Sequence, residues 1–135
     1  MATRKNLNRG YHQLIVWQDA QTLYVFTCQI MMDLPFELKR IASNQIASVD
    51  SVHRNIAEGY CRKGIKEYLK FLYIARASLG ESVSGISTYK KAKQISEEDF
   101  EKINSLAFKI ENGLKRLIES LQYKLKDYSW NDSLF

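Results

Sequence analysis

The side chains able to do chemistry at neutral pH are few and scattered. His12 and His53 are the only histidines, and neither has Cys, His, Asp or Glu placed at the spacing of a metal site. Cys61 stands eight residues from His53, roughly two turns and about 12 Å along a helix. That is too far for the thiol–imidazole contact nucleophilic catalysis requires. The paired Glu-x-x-His of di-iron bundles is absent, as is a glycine-rich phosphate loop. No catalytic residue, metal ligand or cofactor is therefore assigned, and no enzyme is expected. What remains is charge. Arg62, Lys63 and Lys66 crowd the junction of two amphipathic segments, with Arg54 and Lys70 on either side, and clustered cations are what phosphate neutralisation needs.

The elements that hold this junction are helical by composition. The 135 residues amount to one domain, with one proline and six glycines, too little turn punctuation for a β-rich fold. Twenty Lys and Arg against fifteen Asp and Glu give +5 and a pI near 9.2, which favours acidic partners. The cysteines, Cys28 and Cys61, form no spaced pair, consistent with a reducing cytoplasm. No secretory pattern or membrane-length apolar run is present, so a cytoplasmic protein with no membrane partner is expected.

Residues 1–10 form a basic arm, 11–126 the folded unit, and 127–135 a tail holding Tyr128, Trp130 and Phe135. Helix one is expected over 11–32, with apolar stripes on two sides: Trp17, Tyr24 and Met31 on one, Leu23, Phe26 and Ile30 on the other. Both a central position in the monomer and a subunit interface would explain them. Pro35 separates it from helix two, expected over 36–60 and closed by Gly59 as a left-handed cap. Helix three, 65–92, repeats Ile65, Leu69, Leu72, Arg76, Leu79, Val83 and Ile86. Arg76 interrupts that stripe and needs either a partner from another helix or subunit, or a path to solvent. Ser96 followed by Glu97, Glu98 and Asp99 starts helix four. This helix runs to residue 126 on the seam Phe100, Ile103, Ala107, Ile110, Leu114, Leu117 and Leu121.

Short connections then imply an all-α, antiparallel, up-down-up-down four-helix bundle. In that arrangement the N-terminal arm, the 62–64 turn and the C-terminus share one pole. This pole is rich in cations, whereas acids at the Pro35 pole largely offset its cations.

Three stretches resemble a known family, the four-helix bundle proteins encoded in intervening sequences of bacterial 23S ribosomal RNA genes. They are Val16-Trp17-Gln18-Asp19-Ala20, Asn55-Ile56-Ala57-Glu58-Gly59-Tyr60, and the run from Lys66-Glu67-Tyr68 through Arg76-Ala77-Ser78-Leu79-Gly80-Glu81. Where that family has S-I-P-S-N, this chain has Ser51-Val52-His53-Arg54-Asn55. Losing the proline leaves helix two straighter there, and gaining Arg54 makes the turn more basic. The resemblance implies a closed homopentamer, with Trp17 and Phe26 of helix one and Arg76, Ser78 and Glu81 of helix three as interface candidates. It also implies a relation to the accessory protein of diversity-generating retroelements, which binds a reverse transcriptase and nucleic acid. Two functions follow. One is binding of RNA or DNA through Arg54, Arg62, Lys63, Lys66 and Lys70. The other is a protein scaffold, such as a reverse transcriptase accessory subunit, with no direct nucleic-acid contact.

Overall fold

The computed structural model describes residues 8–126, which form four α-helices and two short 3-10 turns, Gly10–Gln13 and Phe36–Leu38. The helices are α1 (Ile15–Met31), α2 (Lys39–Tyr60), α3 (Ile65–Lys91) and α4 (Glu97–Lys126). The all-α expectation holds, and no strand occurs among the described residues. Most of the basic arm and the aromatic tail, with Tyr128, Trp130 and Phe135, lie outside those residues.

Side-chain pairs give the direction of each helix. Asp19 meets Lys109 while Phe26, further along α1, meets Lys102. Gln45 reaches Ser82 and Gly59 lies against Tyr68. Lys90 pairs with Glu97, and Tyr73 with Gln122. Tyr24 packs on His53, and Tyr11 on Tyr60. Numbers rise on one helix of each pair as they fall on the other, so α1–α2, α2–α3, α3–α4 and α4–α1 each run in opposite directions around a shared core.

That core is filled at spacings of three and four from every helix. Leu23, Val52, Ile56, Leu72, Leu79, Ile110 and Leu114 are fully buried, each leucine or isoleucine contributing on the order of 2 kcal/mol of apolar transfer. On α3 the buried stripe passes through Ala75 and Ser82. It does not pass through Arg76, which is exposed with its guanidinium 5.2 Å from the Tyr73 ring centre. On α4 the buried stripe takes Ile118 in place of Leu117, which is half-buried. Both stripes of α1 reach the core, through Leu23 and Ile30 on one and Met31 on the other, while Trp17 is half-buried beside His12 and Tyr11 and Phe26 is half-buried beside Lys102.

Helix ends follow local chemistry, with three differences from expectation. Residues 10–13 make a 3-10 turn and Leu14 is extended (φ −77°, ψ 121°). Gln18 locks this turn by donating its side-chain amide to the His12 carbonyl at 2.8 Å. After Pro35 a second 3-10 turn precedes α2, because the fixed proline backbone is extended at ψ 159° and the helix must be re-entered. Gly59 is not a left-handed cap, since no described glycine has positive φ. It is buried inside α2, where a Cβ would lie 2.9 Å from Phe71 Cβ and 3.0 Å from the Tyr68 carbonyl oxygen. The close approach of α2 to α3 therefore demands it. The same helix pair buries Gln45, whose amide donates to the Ser82 carbonyl at 2.8 Å, and Gly85 leaves the room that this amide occupies.

Among the described residues the left-handed one is Lys93, at φ 61°. Its N–H bonds Lys90 O at 2.9 Å, and the Gln94 N–H bonds Tyr89 O at 2.8 Å, the paired bonds that close a helix through a left-handed residue. Ser96 caps α4 as expected, its hydroxyl accepting from the Asp99 N–H at 3.0 Å.

Candidate nucleic-acid interface

The α2–α3 turn begins where the α2 carbonyls run out. Cys61 N–H still reaches Ala57 O, and Arg62 N–H bonds Gly59 O, both at 3.1 Å. Gly64 (φ −104°, ψ 154°) then sets the extended entry to α3. This geometry pushes Arg62 and Lys63 into solvent. Arg62 Nε pairs with Glu58 Oε2 at 3.6 Å, and its guanidinium carbon lies 4.8 Å from the centre of the Phe71 ring. Lys70 Nζ lies 5.8 Å from the same ring centre. Phe71 thus tethers two cations by its π-face, and exposed Lys66 lies one turn before Lys70 on α3. Such an arrangement can neutralise closely spaced anions.

The five predicted cations do not form one patch. Arg62, Lys63, Lys66 and Lys70 gather around the turn, but Arg54 lies about 12 Å back along α2 and faces α1. There Asp50 accepts from Arg54 Nε through Oδ2 and contacts His53 Nε2 through Oδ1 at 2.8 Å. Burial pushes the Asp50 carboxyl up, but its hydrogen bonds with His53 and Arg54 and their charges outweigh that and hold it below its ordinary value. Asp50 was not singled out from the sequence, although its spacing of three and four from His53 and Arg54 was legible. Phe71 was also missed as an organiser, because only the hairpin brings Arg62 onto it.

Beside the turn a groove of about 530 Å³ opens between the 10–13 turn, α1 and α2, bordered by Tyr11, Trp17, His53, Arg54, Asn55 and Glu58. Trp17 stacks on His12 (4.8 Å, 16°) and meets Tyr11 edge-on (5.1 Å, 64°). Its Nε1 is buried with no hydrogen-bond partner. Of the other interface candidates, Ser78 faces α2, accepting from Ser48 Oγ through its carbonyl at 3.1 Å and sharing a 3.0 Å bond with Ser51 Oγ. Phe26 is half-buried against α4, whereas Arg76 and Glu81 are exposed on α3.

Among the described residues no three His, Cys, Asp or Glu side chains come together as a metal group, and no helix is long and apolar enough to cross a membrane. No curated protein matches the chain. A family model described as 23S rRNA-intervening sequence protein matches residues 12–116, a span that includes Trp17, the Asn55–Tyr60 segment, the basic turn and all of α3. On that match, the chain belongs to the 23S rRNA-intervening sequence protein family.

Proposed function

We propose that this protein is a non-catalytic, oligomeric RNA-binding bundle that holds phosphates with the cations of the α2–α3 turn. The observation that carries this reading is the gathering of Arg62 and Lys70 on the Phe71 ring, 4.8 and 5.8 Å from its centre, with Lys63 and Lys66 exposed nearby in the chain. Single phosphate contacts are weak, and a homo-oligomer such as a pentamer would repeat this turn so that they add. The family's ribosomal RNA context makes structured RNA the ligand to try first.

The test is a titration of purified protein with structured RNA at two salt concentrations, on the native chain and on an Arg62→Glu, Lys63→Glu, Lys66→Glu variant. Four phosphate contacts give log K a slope of about −3 to −4 against log salt, from single-stranded to duplex RNA. The variant is expected to lose binding at moderate salt. Absence of binding to the native chain at low salt would overturn this reading. A second reading, a protein scaffold that could serve a reverse transcriptase, is favoured by Met32 and Phe36, each 80% exposed near the Pro35 turn, since large apolar side chains so placed suit protein contacts.

A further inference from the structure

We propose that the groove between the 10–13 turn, α1 and α2 receives one unpaired nucleobase of an RNA strand whose phosphates lie on the basic turn. This rests on the RNA-binding reading and adds to it a single-stranded element of the ligand.

The groove volume, about 530 Å³, falls in the range of pockets that bury small ligands, about 300–1,000 Å³. Its polar groups are complementary to a base edge. Arg54, which borders the groove with most of its side chain exposed, supplies N–H donors. Asn55 Nδ2 donates to Ser51 O at 2.8 Å and Ser51 Oγ at 2.9 Å. That orientation makes Oδ1 the atom Asn55 can offer a ligand, as an acceptor. One donor and one acceptor are what the Watson–Crick edge of a splayed-out base engages.

Charge determines which part of a nucleotide enters. Glu58 borders the groove and disfavours a phosphate inside it, whereas Arg54, with 71% of its side chain exposed, stands at the rim. Asp50 occupies Arg54 Nε, and the guanidinium has further N–H groups for a phosphate outside. Tyr11 meets His12, Trp17 and Tyr60 at 64–80°, so none of them lies parallel to its ring, and parallel stacking is what a base supplies. Glu58 also pairs with Arg62, so the groove and the cation cluster meet at that residue. A strand with phosphates at Arg62 and Arg54 would have the groove residue Glu58 between them in the chain.

The experiment compares a single-stranded uridine hexamer with a hexamer of equal charge in which the bases are absent. Binding is followed by tryptophan emission in a Trp130→Phe background, so that Trp17 reports. The base-bearing strand is expected to bind about tenfold more tightly and to change Trp17 emission. Tyr11→Leu and Asn55→Ala, each checked for native helicity by circular dichroism, should bring that ratio close to one. Equal affinity for both strands with unchanged Trp17 emission overturns the nucleobase site, while salt-dependent binding of both would leave the phosphate reading standing. Absence of binding by either strand at low salt overturns the nucleobase site, and absence of binding to structured RNA as well overturns the phosphate reading. An emission change caused by a peptide of residues 127–135 that also carries Trp130→Phe, with none from RNA, would assign the groove to the chain's own aromatic segment and also overturn the proposal.

Discussion

Replacing Gly59 and Gly80 by alanine should move stability in opposite directions, although the chemical change is the same and both glycines lie within helices. An alanine in a helix interior is favoured over glycine by about 1 kcal/mol. At Gly80 a new Cβ meets nothing within 4 Å, so Gly80→Ala should gain nearly all of that. At Gly59 the Cβ would lie 2.9 Å from Phe71 Cβ and 3.0 Å from the Tyr68 carbonyl oxygen. Neither can swing away as the end of a flexible chain could, so α2 and α3 must part by several tenths of an ångström. Overpacking of this kind costs about 1–3 kcal/mol, which leaves Gly59→Ala destabilised by about 1 kcal/mol net once the propensity gain is subtracted. Urea denaturation would read the pair directly. With a slope of about 1.5 kcal/mol per molar, the midpoints should shift by about 0.7 M, upward for Gly80→Ala and downward for Gly59→Ala. Because Phe71 carries Arg62 and Lys70, the proposed RNA site predicts weaker RNA binding for Gly59→Ala and no change for Gly80→Ala. Stabilisation by Gly59→Ala equal to that by Gly80→Ala would refute the close-approach reasoning.

The remaining predictions concern helix ends and one carboxylate. Lys93→Gly should raise stability by about 1 kcal/mol, because glycine holds a left-handed backbone without the steric penalty that lysine meets there; thermal denaturation should show a higher midpoint. Ser96→Ala removes the acceptor for the Asp99 N–H and should cost about 1 kcal/mol, while Ser96→Asp should retain most of it. The folded state holds Asp50 below its ordinary value, so its contribution is fully present above about pH 4, the unfolded carboxyl value, and disappears as pH falls through the lower folded value. Native protein should therefore lose more stability than Asp50→Asn between about pH 5 and pH 2, as measured by urea midpoints at each pH.

The helices were legible because their signals are local. Pro35, Gly64 and Ser96 mark boundaries that the structure reproduces within a few residues, and the spacing of Ile103, Ile110, Leu114 and Leu121 needs only the helical period. The errors came where a neighbour across the bundle decides. Gly59 near a helix end suits a left-handed cap by local rules, but Tyr68 and Phe71, not the turn, account for it. Arg76 falls on a stripe by counting threes and fours, but the true centre of the α3 face runs through Ala75, and one residue of rotation carries the arginine to solvent. In the candidate site the cations were visible as a cluster in the chain, whereas the partition of Arg54 from the others depends on which helix each faces. The groove was hidden altogether, since Tyr11, Trp17 and Asn55 come from three separate elements and share no spacing.

The order in which the helices adjoin bears on how the molecule assembles. Three of the four seams join helices that follow one another in the chain, so each can form as a hairpin with a small closure cost. The α1–α4 seam joins residues such as Asp19 and Lys109, 90 positions apart. Mostly local contacts favour rapid folding, and this one long-range seam carries most of the entropy of bringing the ends together. It is the seam to form last and open first. Amides of α1 facing α4 should therefore exchange with solvent through openings that leave the α2–α3 hairpin intact.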